Sequence, residues 1–244
     1  FSEMTLPIDS RDVHGNGYCK ASALLGHIQE AATQAAEHGG FGRDMTTDGY
    51  HAFWMLTRVW YQLRRPLQWE EPLTIRTWHR EDKGATMYRD YDLFVDGEAV
   101  GECVSAWVLA SMDTRQIIRL ATVHELDGTG GGELCKSKKL SKLRLPQNLE
   151  LAGRRKLRYS DTDLNGHVNN TRYADFACDA LEMERLGPDR FLSSMQIGYL
   201  AECRPGEELL LWTKEQDGTH FVQGMDEGGK SRFEAALIFG EVLP

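Results

Sequence analysis

The same order of local patterns occurs twice along this chain, and an internal repeat of that kind leaves few folds open. Each copy opens on a short strand-like segment, "MTLPID" at 4–9 and "RKLRYS" at 155–160, and then reaches an Asn-Gly turn, Asn16-Gly17 or Asn165-Gly166. A helical pattern comes next. In "KASALLGHIQEAATQAAEHGG" at 20–40, Leu24, Ile28, Ala31, Ala35 and His38 fall on one 3.6-residue stripe, and Gly39-Gly40 supplies the stop. "NTRYADFACDALEMERLGP" at 170–188 repeats the stripe with Tyr173, Phe176, Ala177, Ala180, Leu181 and Met183–Glu184, and predicts a helix that runs to Gly187-Pro188. After each helix come only strand signals, with hairpin turns at Asp96-Gly97 and Glu227-Gly228-Gly229. One strand, an interrupting helix and an antiparallel meander make an α+β plan in which the sheet must wrap the helix to hide it. Sliding one copy over the other sets Asn16-Gly17-Tyr18 on Asn165-Gly166-His167 and His14 on Asp163. The copies share a frame, and only the second keeps the chemical groups.

Between them lies "HELDGTGGGELCKSKKLSK" at 124–142, whose glycines and lysines cannot bury enough apolar surface to fold alone and read as a linker. The expected division is therefore 1–122, a linker at 123–150, and 151–244. With 41% hydrophobic and 27% charged residues, disorder is excluded. No apolar run approaches the ~20 residues of a membrane span, and "FSEMTLPIDS" has neither a basic nor an apolar leader region. The chain reads as soluble and untargeted. Five widely spaced cysteines (Cys19, Cys103, Cys135, Cys178, Cys203) with no CxxC pair speak against a zinc site or a disulfide framework and for a reducing cytoplasm. A net charge of −9 excludes a general nucleic-acid binder. One basic run breaks that balance: Lys136, Lys138, Lys139, Lys142 and Arg144, then Arg154, Arg155, Lys156 and Arg158.

The densest polar stretch is "SDTDLNGHVNNTRY" at 160–173, just ahead of the second helical pattern. Turn formation and helix capping account for one or two of its Asn and Asp residues. They do not account for Asp163, Asn165 and His167 at alternate positions, followed by Val168, Asn169 and Asn170. This run resembles the D-x-N-x-H-V-N-N-x-x-Y signature of the acyl-acyl carrier protein (acyl-ACP) thioesterases. "WMLTRVWYQLRRPLQWEEPLTIRTW" and "CVSAWVLASMDTRQIIRL" resemble that family's first half, and "IGYLAECRPGEEL" resembles the strand bearing its Glu-Cys pair. The likeness covers nearly the whole chain. It implies a tandem (double) hotdog fold, two copies of a long central helix wrapped by an antiparallel β-sheet. It also implies an acyl-chain channel in the first half, where Trp54, Met55, Leu56, Trp60 and Trp107 are otherwise ordinary core residues. The lack of a plastid targeting segment before Phe1 favours a bacterial-type member acting in the cytoplasm.

Thioester hydrolysis needs an activated water, a place for the oxyanion and a path for the leaving thiol. His167 is the natural base or proton shuttle, since an ordinary imidazole changes charge near neutral pH. Asn165 projects on the same side and can orient the water or the carbonyl, while Asp163 can hold the His167 tautomer or orient the water. Asn169 and Asn170 read as structural, one of them capping the helix, with the backbone around Val168 as oxyanion donor. If "MQIGYLAEC" is a regular strand, Cys203 shares the apolar face with Met195, Ile197 and Tyr199, and Glu202 points the other way to partner His167. A Cys203-His-Asn covalent scheme stays open if a bulge intervenes.

The substrate expected from this reading is a fatty acyl thioester and the partner is acyl carrier protein, an acidic protein that Lys136, Lys138, Lys139 and Lys142 would attract. No cofactor, metal or nucleic acid is called for, and pairing of two such chains into a homodimer stays open. The alternatives are an acyl-CoA thioesterase of the same fold and a non-catalytic acyl-thioester-binding protein.

Overall fold

A computed structural model describes residues 1–131 and 140–243 of the chain. The first half contains β1 (Ser2–Pro7), α1 (Ala21–His38), β2 (Ala52–Leu63), β3 (Pro72–Lys83), β4 (Thr86–Val95), β5 (Glu98–Ser111) and the short β6 (Ile117–Ile118). The second contains β7 (Glu150–Lys156), α2 (Arg172–Ala180), β8 (Arg190–Tyr199), β9 (Glu208–Gln216), β10 (Thr219–Met225) and β11 (Ser231–Glu241). All strands join one antiparallel sheet in the order β1-β3-β4-β5-β2-β8-β11-β10-β9-β7, with β6 on β5. Outward from the central pair, β2-β5-β4-β3-β1 on one side matches β8-β11-β10-β9-β7 on the other. The join is the β2·β8 ladder, where Trp60 lies opposite Gln196.

The repeat extends to single hydrogen bonds. Ile8 N–H donates to the Glu71 carbonyl and Leu157 N–H to that of Glu207, while Lys20 N–H donates to Asp12 and Asn169 N–H to Asp161. Backbone groups must be satisfied wherever the chain is buried, so a repeated hydrogen-bond pattern reports a repeated path.

The helix α1 forms where expected. Leu24, Leu25, Ile28, Ala31, Ala32 and Ala35 are buried along it, the alanines letting the sheet approach closely. It stops at Gly39, and Gly40 takes a φ of +80° that glycine adopts without strain. His38 stands outside the stripe predicted for it and is exposed. The second helix is shorter than the pattern predicts. It ends at Ala180, not near Gly187, because Glu182 turns left-handed at φ +51° and Met183–Arg185 form a single 3-10 turn. Leu181 and Met183, counted as helix stripe, pack on the core from that turn instead.

The Gly-rich connection is pinned at its flanks. Leu120, Val123 and Leu126 are core residues, Gly131 N–H donates to the Arg80 carbonyl, and Leu140 packs on Trp60, Val104 and Ala106. Gln196 Nε2 and Arg58 Nε hold the Ser141 and Leu140 carbonyls at 2.7 and 3.2 Å. Among the described residues no helix is long and apolar enough to cross a membrane.

Candidate active site

The turn that enters α2 is organised by Asp161, which is 1% exposed. Its carboxylate accepts the Arg158 N–H at 2.9 Å and the Arg155 and Arg172 guanidinium groups at 3.0 and 3.2 Å, and its carbonyl accepts Asn169 N–H at 2.8 Å. Burial by itself would raise the Asp161 pKa, but the Arg158 N–H and the two arginines outweigh it and hold the carboxyl below its ordinary value. Both ends of the turn are thus tied to one ionised side chain.

Within the turn, Asp163 N–H donates to the His167 carbonyl at 2.9 Å and Gly166 N–H to the Asp163 carbonyl at 3.1 Å, with Gly166 at φ +73°. Asp163 Oδ1 accepts the Asn165 N–H at 2.8 Å, so its carboxylate braces the loop; the carboxylate facing the His167 ring is that of Glu202. His167 Nε2 lies 3.5 Å from Glu202 Oε2, and Glu202 Oε1 lies 3.7 Å from Arg115 Nη1. The His167 side chain is 18% exposed and that of Glu202 42%, which leaves the pair open to water. Asn165 is exposed beside it.

These residues line a cleft of about 400 Å³, within the size range of small-molecule sites. Its opposite wall comes from the first half, through Trp54, Met55, Leu56 and Arg115. Trp54 is fixed by its indole N–H on the Phe41 carbonyl at 3.0 Å. Below the cleft lies a void of about 10 Å³ between α1 and the sheet, bounded by Ile28, Val59, Tyr91, Ser105 and Trp107. Leu56, Asn170 and Tyr199 border both spaces. The polar cleft and the small void beneath it are thus separated by Leu56, Asn170 and Tyr199.

One sequence reading, the backbone around Val168 as oxyanion donor, needs correction here, and one, a cap from Asn169 or Asn170, is resolved. The Val168 N–H donates to the Cys203 carbonyl at 2.9 Å and the Asn169 N–H to Asp161, so neither is available as oxyanion donor. The two asparagines also divide: Asn169 Oδ1 caps the helix entrance by accepting Thr171 N–H and Oγ–H, both at 2.9 Å, whereas the side chain of Asn170 borders the cleft with no hydrogen-bond partner among the described residues. The signal that separates them is position. Both lie ahead of α2, which starts at Arg172; Asn169 stands two residues before Thr171, whose N–H it accepts, and Asn170 lies between them.

Glu202 and Cys203 are separated as predicted but for another reason. The strand β8 ends at Tyr199, and Leu200 and Ala201 N–H both donate to the Arg232 carbonyl at 2.9 and 3.2 Å. The chain then turns, sending Glu202 to the cleft and Cys203 into the core at 0% exposure. Burial pushes the Cys203 thiol pKa up, against the opposing effect of the adjacent Tyr173 hydroxyl. Arg115, which sequence reasoning missed, sits at φ +58° in the turn after β5 and carries a first-half cation to the second-half carboxylate.

Of the basic run, Lys136, Lys138 and Lys139 lie outside the described residues and Lys142 is exposed. Arg154 and Arg155 are already ion-paired, with Glu208 and with Asp161 and Asp179. Among the described residues no cluster of three or more His, Cys, Asp or Glu groups is built to hold a metal ion.

An antiparallel sheet with few helices, hotdog-like in form, presenting a His-Glu pair over an apolar floor, defines the class. The chain belongs to the acyl-ACP thioesterase family: the family's "Acyl-ACP thioesterase N-terminal domain" matches residues 2–124 and its "Acyl-ACP thioesterase C-terminal domain" residues 148–240. The chain is 25% identical over 241 residues to oleoyl-acyl carrier protein thioesterase 1, chloroplastic, of Arabidopsis thaliana, an alignment covering 87% of this chain and 64% of that protein. It is 26% identical over 216 residues to the chloroplastic dodecanoyl-[acyl-carrier-protein] hydrolase of Umbellularia californica, covering 82% of this chain and 55% of that protein. The chain thus spans only about six-tenths of the length of these curated relatives. An acyl-ACP thioesterase from Bacteroides thetaiotaomicron has the same fold, with a TM-score of 0.88 at 23% identity over 98% of this chain and 97% of that one.

Proposed function

We propose that this protein hydrolyses the thioester of acyl-ACP and releases free fatty acid in fatty acid biosynthesis. The observation that carries the reading is the His167–Glu202 pair, 3.5 Å apart, in a cleft whose other wall is Trp54, Met55 and Leu56 of the first half. In this reading the architecture is a tandem hotdog, the first repeat (1–122) receiving the acyl chain and the second (151–244) supplying the chemistry across the linker at 123–150. Family membership supports acyl-ACP as substrate, and the relatives carry such names as oleoyl-acyl carrier protein thioesterase.

The acyl chain enters past Leu56 and Tyr199, which sets the carbonyl beside Asn170 and the sulfur toward the open side. A water held by Glu202, His167 and Asn165 attacks the carbonyl carbon, and its proton passes to the His167–Glu202 pair as the C–O bond forms. The Asn170 amide donates to the oxygen that becomes negative in the tetrahedral intermediate. Collapse breaks the C–S bond, and the pair returns the proton to the departing thiolate. Asp163 and Asp161 act through the backbone by fixing the loop that aims His167.

The carrier docks through the exposed side of the basic run, of which Lys142 is described, and the reaction takes place in the cytoplasm. The decisive experiment offers the purified protein a ladder of acyl-ACP and acyl-CoA thioesters and measures released thiol and released acid together. Turnover of the carrier-protein series supports the reading; turnover of CoA thioesters alone makes the protein an acyl-CoA thioesterase, and binding without turnover makes it a sensor.

A further inference from the structure

The repeat that places the His167–Glu202 cleft also generates a second one. By the repeated hydrogen bonds, His14 stands where Asp163 does, Tyr18 where His167 does and Leu67 where Cys203 does, which puts Pro66 at the position of Glu202. The hydrolytic groups are gone, and the Tyr18 hydroxyl is spent on the Pro188 carbonyl at 3.0 Å. The space is not gone. A cavity of about 470 Å³, slightly larger than the catalytic cleft, lies between the α1 entrance and the α2 side of the other half. Cys178 and Asp179 near the end of α2, and Met183 and Glu184 in the turn that follows it, border the cavity. Leu24, Tyr61, Leu63, Leu67, Phe191 and Leu192 make its apolar wall.

Three residues that carry hydrogen-bond donors line this cavity, Asn16, Lys20 and Arg190. Asn16 Oδ1 accepts the Tyr18 N–H at 2.9 Å, but the buried Asn16 Nδ2 has no partner. Lys20 and the exposed Arg190, whose guanidinium lies over the Phe239 ring at 5.7 Å, also line the cavity, and among the described residues neither has a carboxylate within ion-pair distance. A buried amide donor left unsatisfied destabilises the fold, so an acceptor bound at this place is favoured. Of the three carboxylates at the rim, Asp175 is bound by Arg172 and Asp179 by Arg155 at 3.1 Å, leaving only Glu184 to oppose an anion. An unsatisfied amide donor and two cations with no carboxylate partner at the mouth of an apolar cavity describe the complement of an amphipathic anion.

We propose that this second cleft is a non-hydrolytic binding site for a free long-chain carboxylate, its head group on Asn16, Lys20 and Arg190 and its chain along Leu24, Leu63 and Leu67. The ligand is named by the cavity's own chemistry, so the site stands independently of the proposed hydrolysis. In a chain that releases fatty acid, it would hold the product of its own reaction.

The test is calorimetric titration of the whole chain with dodecanoate, with dodecanol as the uncharged control. The expected result is two binding events per chain, both kept in His167→Ala. Lys20→Glu combined with Arg190→Glu weakens one event by about tenfold or more, the equivalent of ~1.4 kcal/mol, and leaves hydrolysis of acyl thioesters unchanged. Cys19→Trp, which fills the second cleft, removes that event, while Leu56→Trp removes the other along with activity. If the filled variant does not fold, the charge-reversed one still decides. A single event that Leu56→Trp abolishes and the charge reversal ignores would overturn the proposal, as would equal affinity for dodecanol. Failure of hydrolysis is read separately, from the thiol assay.

Discussion

At the turn that enters each helix, the first half and the second make the same backbone hydrogen bonds: Gly17 to His14 matches Gly166 to Asp163, and Cys19 to Leu67 matches Val168 to Cys203. The side chains on that shared path differ at the positions that matter for chemistry. Tyr18, Pro66 and Ala21 line one cleft where His167, Glu202 and Asn170 line the other. A backbone path therefore sets where a site can be, and a few side chains decide whether it reacts. Even the anchoring carboxylate differs. Asp12 accepts the Asp9 N–H at 3.0 Å and faces His27 at 3.0 Å, whereas its counterpart Asp161 holds two arginines.

The largest expected effect removes the catalytic side of this contrast. His167→Ala should lower kcat by roughly 10²–10⁴-fold with unchanged thermal stability, since the ring sits at a polar mouth and not in the core. Adding Tyr18→His to that variant should restore nothing, because Pro66 stands where a carboxylate partner is needed. Recovery of hydrolysis in the double variant would show that the two clefts are chemically interchangeable.

Asn170→Ala should cost about 10²–10³-fold in kcat with little change in KM, the signature of a donor used mainly in the transition state. The mirror substitution Ala21→Asn should be silent in the same assay. A KM effect without a kcat effect would make Asn170 a wall of the acyl path and nothing more.

Asp161→Asn should destabilise the protein by about 3 kcal/mol, because two arginines lose their buried partner. Asp12→Asn should cost less. The Asp161 pKa is lowered on folding, so its contribution is fully present above the ordinary carboxylate range and is lost as pH falls through the folded value. Melting temperatures should consequently converge between the wild type and Asp161→Asn on acidification, and a constant gap across the acid range would refute the linkage.

Much of this was legible in the sequence. The repeat, the first helix, the meander and the His167 loop followed from turn chemistry and periodicity, both of which act over a few residues. What was not legible depended on distant partners. The length of α2 was missed because Leu181 and Met183 keep the helical spacing while the chain leaves the helix at Glu182. The engagement of the Val168 N–H was invisible because its acceptor, Cys203, is remote in sequence. Arg115 carries no local signal at all, since only the β2·β8 join brings the halves close enough for it to meet Glu202.

Lys142→Glu should have a modest effect, raising the apparent KM for acyl-ACP a few-fold and weakening its salt dependence while small acyl thioesters turn over normally. Equal loss on both substrates would point to misfolding. No loss on either would leave the carrier to dock elsewhere.

The smallest expected change is at Cys203, where the comparison of halves is most direct. Leu67 occupies the equivalent place and gives its carbonyl to Cys19 N–H just as Cys203 gives its own to Val168 N–H. A position filled by leucine in one copy and cysteine in the other is filled for packing, and both side chains are buried at 1% exposure or less. The raised thiol pKa points the same way, since the thiolate and not the thiol is the nucleophile. Cys203→Ala should therefore leave kcat nearly unchanged and cost on the order of 1 kcal/mol of stability for the small void it opens. Glu202→Ala should show the opposite pattern, with activity lost and stability kept, because its carboxylate faces the cleft and is 42% exposed. An acyl adduct on Cys203 in rapid-quench mass spectrometry, together with an active Glu202→Ala, would reverse the assignment and make the second copy a covalent catalyst that the first had lost.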